Sequence, residues 1–164
     1  MKKFFSMAVA TWLVVWCVPL AFCLEIPGRT RYKVNDYAGV IDVSTKEYLE
    51  KFLTDFGKEH KKIEIIVTTI PSLEGMPLNA FMHEYTPKWR RAWPFEKDRR
   101  IHFVVVPADS KTVFGIGRAV QNLVTPAAAD HIIKEIVLPE FRNSKYNEGV
   151  KKGIEAITRL LRQY

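Results

Sequence analysis

The sequence predicts one α/β domain of layered architecture, its sheet covered by helices on both faces. Three observations predict this. Strand-like and helix-like segments alternate along the chain; the two main strand segments are apolar almost without a break; and no repeat, low-complexity tract or interdomain linker divides the chain.

The amino terminus stands apart from that domain. Lys2 and Lys3 precede an apolar run from Phe4 to Val18, Pro19 breaks it, and Ala21 and Cys23 suit the −3 and −1 positions of a cleavage site. This is the layout of a secretory signal peptide over residues 1–23, cut at Cys23–Leu24. Left uncut, Phe4 to Leu24 is long enough to serve as a membrane anchor. Either fate places the domain outside the cytoplasm, in the periplasm or its equivalent. Residues 24–33 read as an extended basic lead-in, and 34–164 as the domain.

Ser44, with Glu47 three residues on, forms a capping box ahead of Leu49, Phe52, Leu53 and Phe56, which recur at helical spacing. A helix is predicted over 45–59. Ile63 to Ile70 is β-branched and reads as a buried strand. A second helix over 78–91 carries Phe81, Met82, Tyr85 and Trp89, with Pro87 expected to kink or interrupt it. Ile101 to Val106 and Lys111 to Gly117 form a hairpin across the Pro107–Ser110 turn. Helices over 126–137 and 145–162 close the domain.

Both cysteines, Cys17 and Cys23, lie in the leader, so the chain beyond it has no disulfide, thiolate metal site or thiol nucleophile. The net charge is +7, and +5 without Lys2 and Lys3. That excess favours anionic partners such as phospholipid headgroups, while export argues against nucleic acid. A phosphate loop, a Gly-x-Ser-x-Gly elbow and a His-Glu-x-x-His pair are all missing. His102, inside an apolar strand, reads as a satisfied structural histidine. Lys88 to Arg100 interleaves bases with Trp89, Trp93 and Phe95, a mixture suited to a membrane interface or a protein-docking surface.

Two blocks carry a resemblance. Val34, Asp36, Ala38 and Gly39 open the first; Pro139, Phe141, Tyr146, Gly149 and Gly153 form the second, with Trp89, Asp98, Gly115 and Gly117 between them. In this order, behind a signal peptide, they are similar to the signature of the TPM domain family. The resemblance implies a three-layer α/β/α sandwich around a mixed, mainly buried sheet. It also implies an acidic groove that in some members holds a divalent cation such as calcium and in some hydrolyses phosphate esters. Carried over, Asp36 and Asp98 would be the metal ligands.

The chain departs from that pattern where the groove should be. Asp98-Arg99-Arg100 stands where the family writes Asp-Asn-Gly, and Gly117-Arg118-Ala119 where it writes Gly-Leu-Glu. Pro126 follows the Leu123-Val124-Thr125 stretch, where an acid is usual. A guanidinium beside a carboxylate repels a divalent ion and takes up its oxygens. Arg118, Arg99 or Arg100 is therefore expected to replace the cation. The expected function is an exported, non-catalytic binding or assembly factor at an anionic membrane surface or on a membrane-protein complex. Arg90, Arg91, Arg99, Arg100 and Arg118 would supply the anionic contact and Trp93 an anchor. The alternative is a divalent-cation-dependent phosphatase using Asp36 and Asp98.

Overall fold

A computed structural model describes residues 26–28, 30–60, 63–90 and 98–163. The leader, Arg91 and Trp93 lie outside these residues, as does the side chain of Arg90. A four-stranded sheet runs in the order β1 (Val34–Asp36), β2 (Glu64–Thr69), β3 (Arg100–Val106), β4 (Lys111–Ile116). The first three strands are parallel and β4 is antiparallel to β3, so the sheet is mixed. The predicted hairpin is present. The three-residue edge strand β1 was not anticipated, being too short to show a period.

Alternation across the pleat sends side chains to two cores. On one face, Ile65, Val67, Ile101, Phe103, Val105 and Phe114 meet α1 (Val43–Glu59) and α5 (Tyr146–Leu161). The same core includes residues of α3 (Pro126–Ile132) and of the π-turn Ile133–Val137, which leads into α4 (Leu138–Arg142). On the other, Ile66, Val104 and Val106 meet Phe81, Tyr85 and Trp89 of α2 (Leu78–Arg90), with Ile26 of the lead-in joining them. These are the three predicted layers. Every residue of β3 is buried, Arg100 and His102 among them, and its largely apolar run fits a strand covered on both faces.

Helices α1 and α2 link successive neighbouring strands in the same direction yet cover opposite faces. The two crossovers therefore have opposite hands, and one is of the uncommon left-handed kind.

Local chemistry moves several predicted boundaries. The cap of α1 is Asp42, whose side chain accepts from the Thr45 amide at 2.6 Å, and the Ser44 hydroxyl donates to the same carboxylate. The predicted capping box at Ser44 is replaced by a better acceptor two residues earlier. Pro87 is carried inside α2 without ending it: the carbonyl it leaves without a partner belongs to His83, which is exposed and reached by water. Helix continues past residue 137 to Arg142 because the backbone widens into the π-turn just before Pro139, whose missing N–H breaks the α-type ladder there.

Candidate functional site

The site is built where β3 begins and β4 ends. Asp98, two residues ahead of β3, is buried, and so is Arg100 at the strand's first position. The Arg100 guanidinium donates through Nε to Asp98 Oδ1 at 3.0 Å, and the Arg100 amide donates to the same oxygen at 3.1 Å. Nη1 donates to the carbonyl of Trp89, at the end of α2, while Nη2 is buried without a hydrogen-bond partner among the described residues. Backbone bonds draw the neighbouring turn close: Gly117 N to Arg100 O at 2.7 Å and Ala119 N to Asp98 O at 3.0 Å. A Cβ on Gly117 would lie 2.4 Å from the Asp98 carbonyl oxygen, so only glycine permits the approach.

Helix α2 covers its face of the sheet incompletely. Between it and β4 lies a cleft of about 650 Å³, with His102, Val113 and Gly115 along the sheet and Leu78 and Met82 along the helix. Asp98 and Arg118 stand at one end. A Cβ on Gly115 would sit 2.6 Å from the Met82 methyl, so this glycine lets the helix and the edge strand meet. His102 is 2% exposed and packs edge-on against Tyr85 and Trp89. Among the described residues, neither of its ring nitrogens has a hydrogen-bond partner. Burial, and then the Arg100 charge, lower its pKa to about 4, partly opposed by Asp98 and Glu64, so the ring is neutral at neutral pH. The expectation of a satisfied histidine is half correct: the ring is in the core, but its polar atoms are unmet. The only signal for this in the sequence was a polar residue in an apolar strand.

Asp36 and Asp98 do not share a site. Strand register sets Asp36 beside Thr69 and Arg100 beside Glu64, the two ends of six-residue β2. The carboxylates are thus separated along the sheet by about 17 Å at a rise of roughly 3.3 Å per residue. Asp36 is fully engaged where it stands. Oδ1 accepts from the Val40 amide and the Thr69 hydroxyl, and Oδ2 from the Ile41 amide at 3.0 Å. It shapes the loop 37–41, in which Gly39 takes a φ of +66°.

The family's calcium would need several oxygens around one point. With Asp98 Oδ1 held by Arg100, Asp36 held by its loop and the two far apart, the expected ligand pair does not fit a cation. Among the described residues no group of three or more histidine or acidic side chains is arranged to hold a metal ion. Of the arginines proposed for anion contact, Arg100 is corrected outright: it is buried against Asp98. Arg99 and Arg118 are exposed at this end of the sheet, while Arg91, Trp93 and the Arg90 side chain fall outside the described residues. Positions 99, 100, 118 and 119, picked out as departures in the sequence, do gather at this end of the sheet, where the turn at Gly117 is bonded to Asp98 and Arg100.

Comparison with known proteins gives three findings. The family model described as TPM domain matches residues 34–160. Two solution NMR structures share the fold. One is the N-terminal domain of a P. gingivalis protein, with a TM-score of 0.73 and 23% identity over 80% of this chain and 83% of that one. The other is the N-terminal domain of a Corynebacterium glutamicum protein, with a TM-score of 0.58 and 14% identity over 84% of each chain. A search of curated proteins finds no match.

Proposed function

This chain belongs to the TPM domain family, and from that premise we propose that it is an exported, non-catalytic binding or assembly factor that works against an anionic membrane surface. One observation carries the reading. The starts of β2 and β3 and the last turns of α1, α2 and α5 converge at one end of the domain, and Lys88, Arg99, Arg118 and Arg162 are exposed there. The chain enters the fold at this same end. Ile26 packs against the α2 side of the sheet, and its carbonyl accepts from Lys88 Nζ at 2.9 Å. Left uncut, the apolar leader would join the domain at its basic pole, and membrane attachment there would bring the bases toward anionic headgroups. Each base near such a surface contributes about 1 kcal/mol of attraction. Partner complexes embedded in that membrane fall within reach of the same pole.

The engagement of both candidate carboxylates supports a non-catalytic role over a hydrolase. A general acid or metal ligand needs an available oxygen, whereas Asp98 Oδ1 is held by a guanidinium and an amide.

Vesicle flotation tests the reading. The full chain should float more completely with phosphatidylglycerol vesicles than with phosphatidylcholine, and the difference should shrink as salt rises. An uncut leader contributes to both vesicle types, so the difference reads the pole. Equal flotation, or phosphate-ester turnover that disappears in Asp98→Asn, would overturn the proposal in favour of the phosphatase alternative or a partner unrelated to lipid.

A further inference from the structure

We propose that the outer edge of β4 takes an extended segment of a partner protein as an added strand, with an apolar side chain of that segment lodged in the cleft beside α2. This goes beyond lipid attachment and does not depend on it.

The edge itself provides the first ground. Backbone bonds fix which way the groups of β3 point. The carbonyls of Arg99 and Val105 accept from Glu64 and Ile70, on the β2 side, and that of Arg100 accepts from Gly117, on the β4 side. Alternation then turns the even-numbered residues of β3 toward β4, so that His102 and Gly115, and Val104 and Val113, are hydrogen-bonded pairs. Thr112, Phe114 and Ile116 consequently point their N–H and C=O groups away from β3. Strand β4 ends the sheet. Among the described residues the one partner of these outward groups is the Gln121 side-chain amide, which donates to the Ile116 carbonyl at 3.2 Å.

The two edges of the sheet differ. Strand β1 is three residues long, and the Glu50 carboxylate accepts from the Lys33 and Val34 amides at 3.0 and 2.8 Å. A short strand and a charged group on it are ordinary ways of closing an edge. Strand β4 pairs along all six of its residues without a bulge, contains no proline and carries one charge, at Lys111. Such an edge presents a row of donors and acceptors that an extended main chain matches.

The cleft selects a side chain. On the α2 side β4 bears Val113 and Gly115, and the cleft of about 650 Å³ extends from them to Leu78 and Met82. Directly opposed residues on neighbouring strands share a face. A residue opposite Gly115 would therefore meet no side chain across the strand and would direct its own into the cleft. These walls are apolar, which suits a side chain such as leucine, and the unbranched Met82 can repack around it.

Charge selects the flank. Lys111 opens the edge, partly exposed, and its ion pair with Asp109 is long at 3.7 Å. Asp109 is also engaged by the Ser72 hydroxyl at 2.8 Å and the Leu73 amide at 3.3 Å. An acidic residue at one end of the added strand complements Lys111, on a chain whose net charge is +7.

The full chain, held in zwitterionic nanodiscs and labelled with heavy nitrogen, is titrated with the capped peptide acetyl-Glu-Thr-Leu-Thr-Leu-Thr-Glu-amide. Its leucines share one face, and an acid at each end lets either strand direction reach Lys111. The Thr112 and Phe114 amide resonances should shift saturably, and both amides should exchange with solvent at least about tenfold more slowly when bound. Replacing both leucines of the peptide by lysine should weaken it at least about tenfold through lost apolar burial. N-methylation separates main chain from side chains. Methylating one alternate set of peptide amides should abolish binding and methylating the other should leave it, the sensitive set being the threonines for an antiparallel strand and the leucines for a parallel one. Thr112→Pro removes an outward N–H at an edge position where proline is tolerated, and should weaken the peptide at least about tenfold.

Absence of a saturable shift at Thr112 and Phe114 overturns the site. Equal effects of the two methylation patterns overturn strand addition, and unchanged affinity of the lysine-substituted peptide overturns the role of the cleft. Protection of the same amides that rises with protein concentration, without peptide, would overturn the partner and assign the edge to a second copy of this chain. Should Thr112→Pro fail to fold, the peptide series on the unaltered protein decides alone. No anionic lipid enters the experiment, so its failure is distinguishable from failure of the membrane reading.

Discussion

Asp98 and Arg100 show how much a single substitution pattern can redirect a site. A buried carboxylate and guanidinium stabilise the fold only as a pair, because removing one leaves the other charged and unsolvated. Asp98→Ala is expected to destabilise by about 3–5 kcal/mol. The double variant Asp98→Ala/Arg100→Met should lose much less, since neither charge then remains to be buried. Urea midpoints of the three proteins measure this, and a double variant as unstable as the single one would contradict the pairing.

His102 adds a pH dependence with a definite sign. Above pH 6.5 its ring is neutral folded and unfolded, and it contributes no slope. Below that, the unfolded chain takes up a proton that the native state resists until about pH 4. Stability should therefore fall as pH falls between these limits, by on the order of 3 kcal/mol in total, at about 1.4 kcal/mol per pKa unit. Denaturant midpoints at pH 7 and pH 4.5 should differ less in His102→Phe than in the wild type. Equal differences would mean the ring is already solvated in the native state.

Among the elements, α5 illustrates a role for small residues that periodicity does not reveal. Gly149 and Gly153 sit on its buried face. A Cβ on Gly149 would lie 2.4 Å from the Phe141 ring of α4, and one on Gly153 2.8 Å from a Val137 methyl. Alanine is the better helix former, yet Gly149→Ala should destabilise by about 1–3 kcal/mol through overpacking. Adding Phe141→Leu should recover part of that loss, read as a shift in melting temperature; no recovery would place the strain elsewhere.

The elements also show what was legible along the chain. Helices α1, α2 and α5 and strands β2, β3 and β4 announced themselves through period and β-branched content, and their ends were displaced by only a few residues. The cap at Asp42, the widened turn ahead of Pro139 and the uninterrupted helix through Pro87 depend on which oxygen lies nearest or which carbonyl reaches water. Neither is a property of residue order. Strand β1 was missed because three residues carry no period; it exists because β2 offers it an edge.

At the scale of the whole molecule, the basic residues matter through where they converge. Lys88→Glu with Arg99→Glu should reduce the preference for phosphatidylglycerol vesicles severalfold, at about 1 kcal/mol for each base removed from the surface. Lys145 lies at the opposite end of the domain, where α5 begins beside the turn after β3. Lys145→Glu makes the same change of net charge as one of those reversals and should leave the preference nearly unaltered. Equal effects from both ends would show that net charge, not the pole, governs binding.

By itself the sequence determined the family, the layered α/β class and the apolar faces, because each is written in local order: a motif, a period, an unbroken run of β-branched residues. It also marked positions 99, 100, 118 and 119 as departures from the family pattern. Only the tertiary structure decided which charges meet. Parallel pairing through β2 holds Asp36 and Asp98 at opposite ends of the sheet, the turn at Gly117 brings Arg118 and Ala119 to Asp98, and incomplete cover by α2 leaves His102 buried beside a cleft. Coulomb attraction and hydrogen bonds act over a few ångströms of space, and the distance between residues along a chain does not measure that separation.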